Sequence, residues 1–313
     1  MKLSLICPCY NESENVAEFV EVCNRVFENK IDSYEFVMIN DGSKDDTWDK
    51  LKELYALSQV NMKIINFSRN FGKEAAMYAG LQKAEGEYTC FIDTDLQQPP
   101  EKVVEMVEIL ENNPDCDCVA AYQKSRAENK IVSAFKSAFY KIINKMSDID
   151  FQSGASDFRT FRQGVRDALL SMGEYHRFLK GMFSWVGFNT HYIEYTALER
   201  QAGTTSWSFM KLVKYAFTGI LAFSTLPLKL AAFIGSAFSV LSLLYMVVVI
   251  IEKLVFDIAI PGYATAIVLI LLIGGIQLMC LGILGEYISL IYVQGKKRPV
   301  FIIKNYESKK TDE

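Results

Sequence analysis

The chain has 313 residues, half of them hydrophobic, and a net charge of −4 from 33 Lys and Arg against 37 Asp and Glu. That balance argues against a general nucleic-acid binder, and no Lys/Arg stripe interleaved with aromatics appears. The length allows one sizeable α/β domain plus an appendage.

Strand and helix patterns alternate from the start. Strands are expected over residues 3–7, 34–39, 62–66, 88–92 and 117–121, and helices over 16–29, 45–57, 73–84 and 100–112. Such alternation predicts a largely parallel sheet covered on both faces. Asp45 or Asp46 is the expected N-cap of the second helix, and Pro100 opens the fourth. After Ala121 the rhythm breaks. A basic amphipathic helix is expected over 130–146, with Phe135, Phe139, Ile142 and Ile143 as its stripe. The 206–223 segment carries Trp207, Phe209, Met210, Val213, Phe217 and Ile220 on another, which suits a helix lying among lipid headgroups.

Residues 230–251 and 258–285 contain no charge, and each run exceeds the ~20 residues that cross a bilayer core. Two membrane spans are therefore expected, at about 229–252 and 263–287. Residues 3–9 are too short, and lack the basic leader, for a signal peptide. Lys211, Lys214 and Lys229 precede the first span, and Lys296, Lys297, Arg298 and Lys304 follow the second, whereas the connecting loop offers Lys253 alone. By the positive-inside rule, domain and tail are cytoplasmic. The expected organisation is a soluble domain over 1–205, an interfacial helix over 206–226, a two-helix anchor over 227–293 and a tail over 294–313. Beyond Tyr306 the tail is charged and expected to be disordered. Gly274, Gly275, Gly282 and Gly285 can pack helices within one chain or between copies.

The Cys7/Cys9 and Cys116/Cys118 pairs lack the usual zinc-ligand spacing, and the chain has two histidines, so they read as small buried hydrophobes. The chemistry lies elsewhere. In parallel sheets ligands bind beyond the carboxyl ends of the strands. The polar clusters Tyr10-Asn11-Glu12, Asn40-Asp41-Gly42-Ser43, Ser68-Arg69-Asn70 and Asp93-Thr94-Asp95 all fall there, with Arg126 after the fifth strand. Asp41 can accept hydrogen bonds from a base or ribose, and Tyr10 can stack or donate its hydroxyl. Asp93 and Asp95 are hard oxygen donors, suited to Mg²⁺ or Mn²⁺ against a nucleotide diphosphate. Neither a Gly-x-Gly-x-x-Gly nor a Walker lysine motif follows any strand, which disfavours dinucleotide oxidoreductases and P-loop NTPases.

Pro8-Cys9-Tyr10-Asn11-Glu12, Asn40-Asp41-Gly42-Ser43, Asn70-Phe71-Gly72-Lys73-Glu74-Ala75-Ala76 and Asp93-Thr94-Asp95-Leu96-Gln97 together resemble the successive motifs of family 2 inverting glycosyltransferases. Within that family the chain is similar to the polyprenyl-phosphate branch, which includes dolichol-phosphate mannose synthases and bacterial undecaprenyl-phosphate glucosyltransferases. Ser156-Asp157-Phe158-Arg159, Arg177-Phe178-Leu179-Lys180-Gly181, Leu284-Gly285-Glu286-Tyr287 and Arg298-Pro299 extend the likeness. The Gln-x-x-Arg-Trp motif of processive synthases is absent.

The resemblance implies a glycosyltransferase A-type fold, a nucleotide-sugar donor (UDP-glucose first) and a polyprenyl-phosphate acceptor, with a flippase acting downstream. It implies that Asp93, Asp95 and Gln97 surround the divalent metal, Mg²⁺ or Mn²⁺. Pro8, Tyr10, Glu12, Asp41 and Lys73 would hold the nucleotide sugar. Asp157, with Asp95, would carry catalysis, and Arg159 would line the acceptor side. Arg126, Lys136 and Arg177 are the further candidates for the acceptor phosphate. Gln123 and Ser206 depart from the basic residues the family often carries there. Two rivals stay open: a silent nucleotide-sugar-binding scaffold, and a transferase acting on diacylglycerol or a glycan hydroxyl.

Overall fold

The computed structural model describes residues 1–123, 155–197, 225–256 and 262–309. The elements are β1 (Leu3–Cys9), α1 (Val16–Phe27), β2 (Tyr34–Asn40), α2 (Thr47–Leu57), β3 (Asn61–Phe67), α3 (Lys73–Lys83), β4 (Tyr88–Phe91) and α4 (Glu101–Asn112). They continue with β5 (Cys118–Gln123), β6 (Ala155–Arg162), α5 (Gln163–Ser171), α6 (Leu179–Trp185), β7 (Thr190–Tyr195), α7 (Leu226–Phe256), α8 (Tyr263–Gly295) and β8 (Ile303–Lys309).

Among the described residues, the eight strands join one sheet in the order β7-β5-β6-β4-β1-β2-β3-β8. The pairs β1–β2, β2–β3, β1–β4 and β5–β7 are parallel, as the alternating pattern predicts. Two strands run the other way: β6, between β4 and β5, and β8, along β3. The start of β6 therefore lies at the same edge as the carboxyl ends of its neighbours.

Alternation along each strand divides the core into two layers. Leu3, Leu5 and Cys7 of β1 pack with Phe19, Phe27, Val103 and Leu110 of α1 and α4. Ile6 faces the opposite layer, with Ala76, Ala79 and Leu81 of α3 and Phe91, Phe161 and Phe183. Gly80 permits that close approach, because a Cβ there would come 2.2 Å from Ile6 Cγ2. The cysteines of β1, β4 and β5 are buried and free, and burial pushes the Cys90 thiol up to about 12, as for a small hydrophobe.

After the sheet domain, α7 and α8 carry apolar stretches, Leu226–Val249 and Val268–Gly295, with mean hydropathy 2.2 and 2.5 and most of their large apolar side chains exposed. Exposed apolar surface on this scale fits lipid, not water. Where disorder was expected beyond Tyr306, the described part of the tail is a strand as far as Lys309. β8 pairs antiparallel with β3, Tyr306 opposite Ile65 and Lys309 opposite Met62, and Phe301 stacks on Phe67 with centroids 5.0 Å apart. Since β8 follows α8 and pairs with β3, which precedes α7, the two candidate spans form a hairpin whose two ends both return to the sheet domain.

Candidate active site

The loops after β1 and β2 are stapled together. Asn11 donates its backbone N–H to Ser43 Oγ (3.0 Å) and accepts from Lys44 N–H at Oδ1 (2.9 Å). Glu12 N–H reaches Thr47 Oγ1 at 2.9 Å, and Ser13 N–H reaches Asp45 Oδ2 at 3.2 Å. Asp45 also accepts from Thr47 N–H at 3.1 Å, one residue before the N-cap Asp46, whose own side chain makes no capping hydrogen bond. Asn11 sits at φ 56, a left-handed conformation that Asn tolerates better than most residues. Beside it Tyr10 is exposed, and Pro8 lies one residue before the end of β1, half-buried.

Asp41 turns inward. Its carboxylate accepts from Phe71 N–H (2.7 Å), Gly72 N–H (2.9 Å) and Asn70 Nδ2 (2.9 Å), fixing the loop that leads into α3. Burial raises its pKa to about 6, against the pull of those backbone N–H groups and of Arg69. Gly42 follows at φ 60, where an added Cβ would meet the Arg69 carbonyl carbon at 2.2 Å. The two loops can approach this closely only with glycine.

That loop delivers Lys73 to the first turn of α3, where its Nζ lies 2.6 Å from Asp93 Oδ1 and 3.7 Å from Asp157 Oδ2. Asp93 comes from the end of β4 and Asp157 from the start of β6, so the antiparallel strand brings a carboxylate to the edge that the parallel strands line. Asp157, Arg159 and Phe161 share one face of β6 by pleat alternation. Arg159 is buried, its guanidinium 4.1 Å over the Phe183 ring and its Nη2 donating to Ser156 O. Burial opposes the charge on Asp157, but Lys73, Lys180 and Arg159 outweigh it and hold its pKa below the usual carboxylate value. Burial likewise opposes the charge on Lys73, and Asp93, Asp157 and Asp95 outweigh it, raising its pKa.

Asp95 and Gln97 flank Leu96, which is buried at φ 57, a strained conformation for a side chain of that size. Gln97 N–H donates to Asp95 Oδ1 at 3.2 Å. Gln98 is the contributor that sequence reasoning missed. Its Oε1 accepts from Asp93 N–H (2.9 Å) and its Nε2 donates to Asp93 Oδ2 (3.2 Å), bracing that carboxylate from below. Only its position beside the Asp-x-Asp pair could have pointed to it. Lys180 was missed as a cation acting on Asp157, although it lies within the Arg177–Gly181 motif.

No group of three or more His, Cys, Asp or Glu side chains converges among the described residues. Asp93 and Asp157 both lie against the Lys73 ammonium, which also feels the charge of Asp95, so the place already holds positive charge. That donor set fits a hard divalent cation whose remaining ligands come from phosphate oxygens and water.

Arg177 is absorbed by the fold. It is buried, donates to Leu169 O and Met172 O at 2.8 Å each, and stacks 3.8 Å over Tyr78. Arg126, Lys136, Ser206 and the helix expected over 130–146 lie outside the described residues, as does nearly all of the expected interfacial helix.

Comparison with known proteins agrees with this geometry. Residues 4–170 match the family model Glycosyl transferase family 2, and residues 226–291 match the GtrB C-terminal hairpin. The chain is 40% identical over 302 residues to the putative glycosyltransferase CsbB of Bacillus subtilis, covering 96% of this chain and 91% of the relative. It is 38% identical over 310 residues to the bactoprenol glucosyl transferase of Shigella phage SfV, covering 99% and all of that protein. Among solved structures, glucosyl-3-phosphoglycerate synthase of Mycobacterium tuberculosis, in complex with Mn²⁺, UDP and phosphoglyceric acid, shares the fold at TM-score 0.50 and 15% identity, over 70% of this chain and 76% of that one. The chain belongs to glycosyl transferase family 2, its catalytic domain followed by a C-terminal hairpin of the GtrB type.

Proposed function

We propose that this glycosyltransferase moves a single glucose from UDP-glucose onto a polyprenyl phosphate, undecaprenyl phosphate, at the cytoplasmic face of a membrane, with inversion and with Mg²⁺ or Mn²⁺ bound. The observation that carries the reading is the convergence of Asp93, Lys73 and Asp157 at one sheet edge, in a domain tied to two apolar helices. Relatives named bactoprenol glucosyl transferase, matched over nearly their whole length, support the acceptor class and the sugar. The basic residues flanking the hairpin support the cytoplasmic side.

In this reading Asp93 and Asp95 hold the cation, which when bound neutralises charge on the departing diphosphate. Tyr10, Glu12 and the stapled loops hold the nucleotide, and Asp41 holds the loop that presents Lys73. The lipid phosphate oxygen attacks the anomeric carbon as the bond to the nucleoside diphosphate breaks on the opposite face. The acceptor oxygen is already anionic, since a phosphate monoester has its second pKa near ~6. Asp157 therefore has no proton to remove. Held ionised by its three cations, it orients the donor sugar and stabilises positive charge developing at the ring.

The test is sugar transfer from radiolabelled UDP- and GDP-sugars to undecaprenyl phosphate in detergent, with Mn²⁺, Mg²⁺ or EDTA. A labelled lipid from UDP-glucose, abolished by EDTA and by Asp95→Ala, is expected. Label on diacylglycerol instead, or no product from any donor, would overturn the assignment.

A further inference from the structure

Three asparagines lie in one register row of the sheet, Asn40 of β2 opposite Asn66 of β3, and Asn66 opposite Asn305 of β8. Their side chains form a one-way chain of hydrogen bonds. Asn66 Nδ2 donates to Asn305 Oδ1 (3.3 Å), and Asn40 Nδ2 donates to Asn66 Oδ1 (2.8 Å). Asn40 Oδ1 accepts from both the backbone N–H and the hydroxyl of Ser43. Ser43 Oγ in turn accepts from Asn11 N–H at 3.0 Å, beside the exposed Tyr10.

Asn40 is 2% exposed and Asn66 7%, in strands whose neighbours Ile39, Ile65 and Phe67 are fully apolar. Burying two amides here costs free energy unless both are bonded, and an apolar pair would fill the same space without that demand. What the amides supply is orientation. With its Nδ2 committed to Asn66, Asn40 must turn its carbonyl oxygen toward Ser43. The Ser43 hydroxyl proton is thereby spent on Asn40, leaving a lone pair facing Asn11. A turned Asn40 amide would set its NH₂ against the Ser43 N–H. Chains of this kind polarise one another, so each link strengthens the next.

We propose that Asn66, anchored from outside by Asn305 of the C-terminal strand, is a positioning residue for the nucleotide-binding loops, acting through Asn40 and Ser43. This rests on the donor-site reading above. The tail that follows the second membrane helix thereby helps to shape the site built from the first strands of the chain.

The experiment is calorimetric titration of the full chain in detergent with UDP and Mn²⁺, beside melting temperatures. Asn66→Leu should raise the Kd for UDP about tenfold, the size of one lost hydrogen bond, since it orphans Asn40 Nδ2. Asn66→Asp, which keeps an acceptor for Asn40 and can accept from a turned Asn305 amide, should hold the Kd near wild type. Asn305→Leu, at an exposed position that does not endanger folding, should raise it in the same direction by a smaller factor. Ile64→Val, a fully buried change on the same strand outside the row, should lower the melting temperature and leave the Kd alone. UDP affinity unchanged in both Asn66→Leu and Asn305→Leu, or lost equally in Ile64→Val and Asn66→Asp, would overturn the proposal. A wild-type chain that binds neither UDP nor GDP would instead overturn the donor-site reading, and this inference with it.

Discussion

At the scale of single residues, the site depends on side chains that hold other side chains. Asp93 is the clearest case, gripped through both its N–H and its carboxylate by Gln98 while Lys73 supplies the opposing charge. Outer partners of this kind typically change metal affinity by about 10–100-fold when removed. Gln98→Leu should therefore raise the Mn²⁺ concentration needed for half-maximal transfer by about that factor, with full rate recovered at saturation. A metal titration of the initial rate checks it, and an unchanged midpoint would deny the brace any role. Asp41 offers a second test, through pH. Its native pKa of about 6 lies above the ordinary 3.8, so between those values the folded chain holds a proton that the unfolded chain has lost. The unfolded state then binds fewer protons, and the stability from this group falls as pH rises from about 4 to about 6. Above that window both states are ionised and the contribution is flat. Melting temperatures of wild type and Asp41→Asn should converge or diverge across pH 4–6, with wild type losing ground as pH rises, and run parallel from pH 7 to 8.

At the scale of elements, the lesson is which strands announce themselves. β1, β2, β3, β4 and β5 carry apolar runs because helices cover both their faces, and hydrophobic pattern and polar punctuation alone placed their carboxyl ends to within two residues. Asp93 and Asp157 were identified as chemistry-bearing residues, but the ion pairs that join them through Lys73 needed the antiparallel entry of β6, which no periodicity encodes. β8 escaped notice for a different reason. Its sequence, Ile303 to Lys309, is mostly polar and exposed, because an edge strand gains its place from backbone hydrogen bonds and buries little. A charged tail therefore read as disorder. Removing residues 303–313 strips β3 of that partner and uncovers its edge. The truncated chain should melt about 5–10 °C lower, as expected for a loss of a few kcal/mol in a domain of this size, and should self-associate through the open edge. Differential scanning fluorimetry with light scattering reads both effects. An unaltered melting temperature would mean that β8 is held loosely.

At the scale of the whole molecule, the question is how a site on a sheet edge meets a substrate whose reactive phosphate lies at a membrane surface. The hairpin leaves the domain after residue 225 and returns through Gln294, near the last turn of α8. The Gln294 amide closes on the loop between α5 and α6: its Oε1 accepts from Tyr175 N–H and its Nε2 donates to Gly173 O, both at 2.8 Å. This paired contact resembles one rung of a sheet and fixes the helix against the loop that leads through Arg177 into α6, the helix carrying Lys180. Phe301 and β8 then continue the same chain segment onto β3. The membrane helix is thus attached at two points, one beside α6 and one beside the donor loops. In the proposed function, that attachment would set the height and tilt of the crevice over the bilayer, which a lipid acceptor senses and a soluble nucleotide does not. Gln294→Ala should therefore raise the KM for undecaprenyl phosphate in liposomes severalfold, in line with the loss of two hydrogen bonds worth about 0.5–1.5 kcal/mol each. The Kd for UDP should stay at the wild-type value. Equal losses in both would place the effect in the stability of the domain, whereas a change confined to the lipid would show that the clamp sets the site against the membrane.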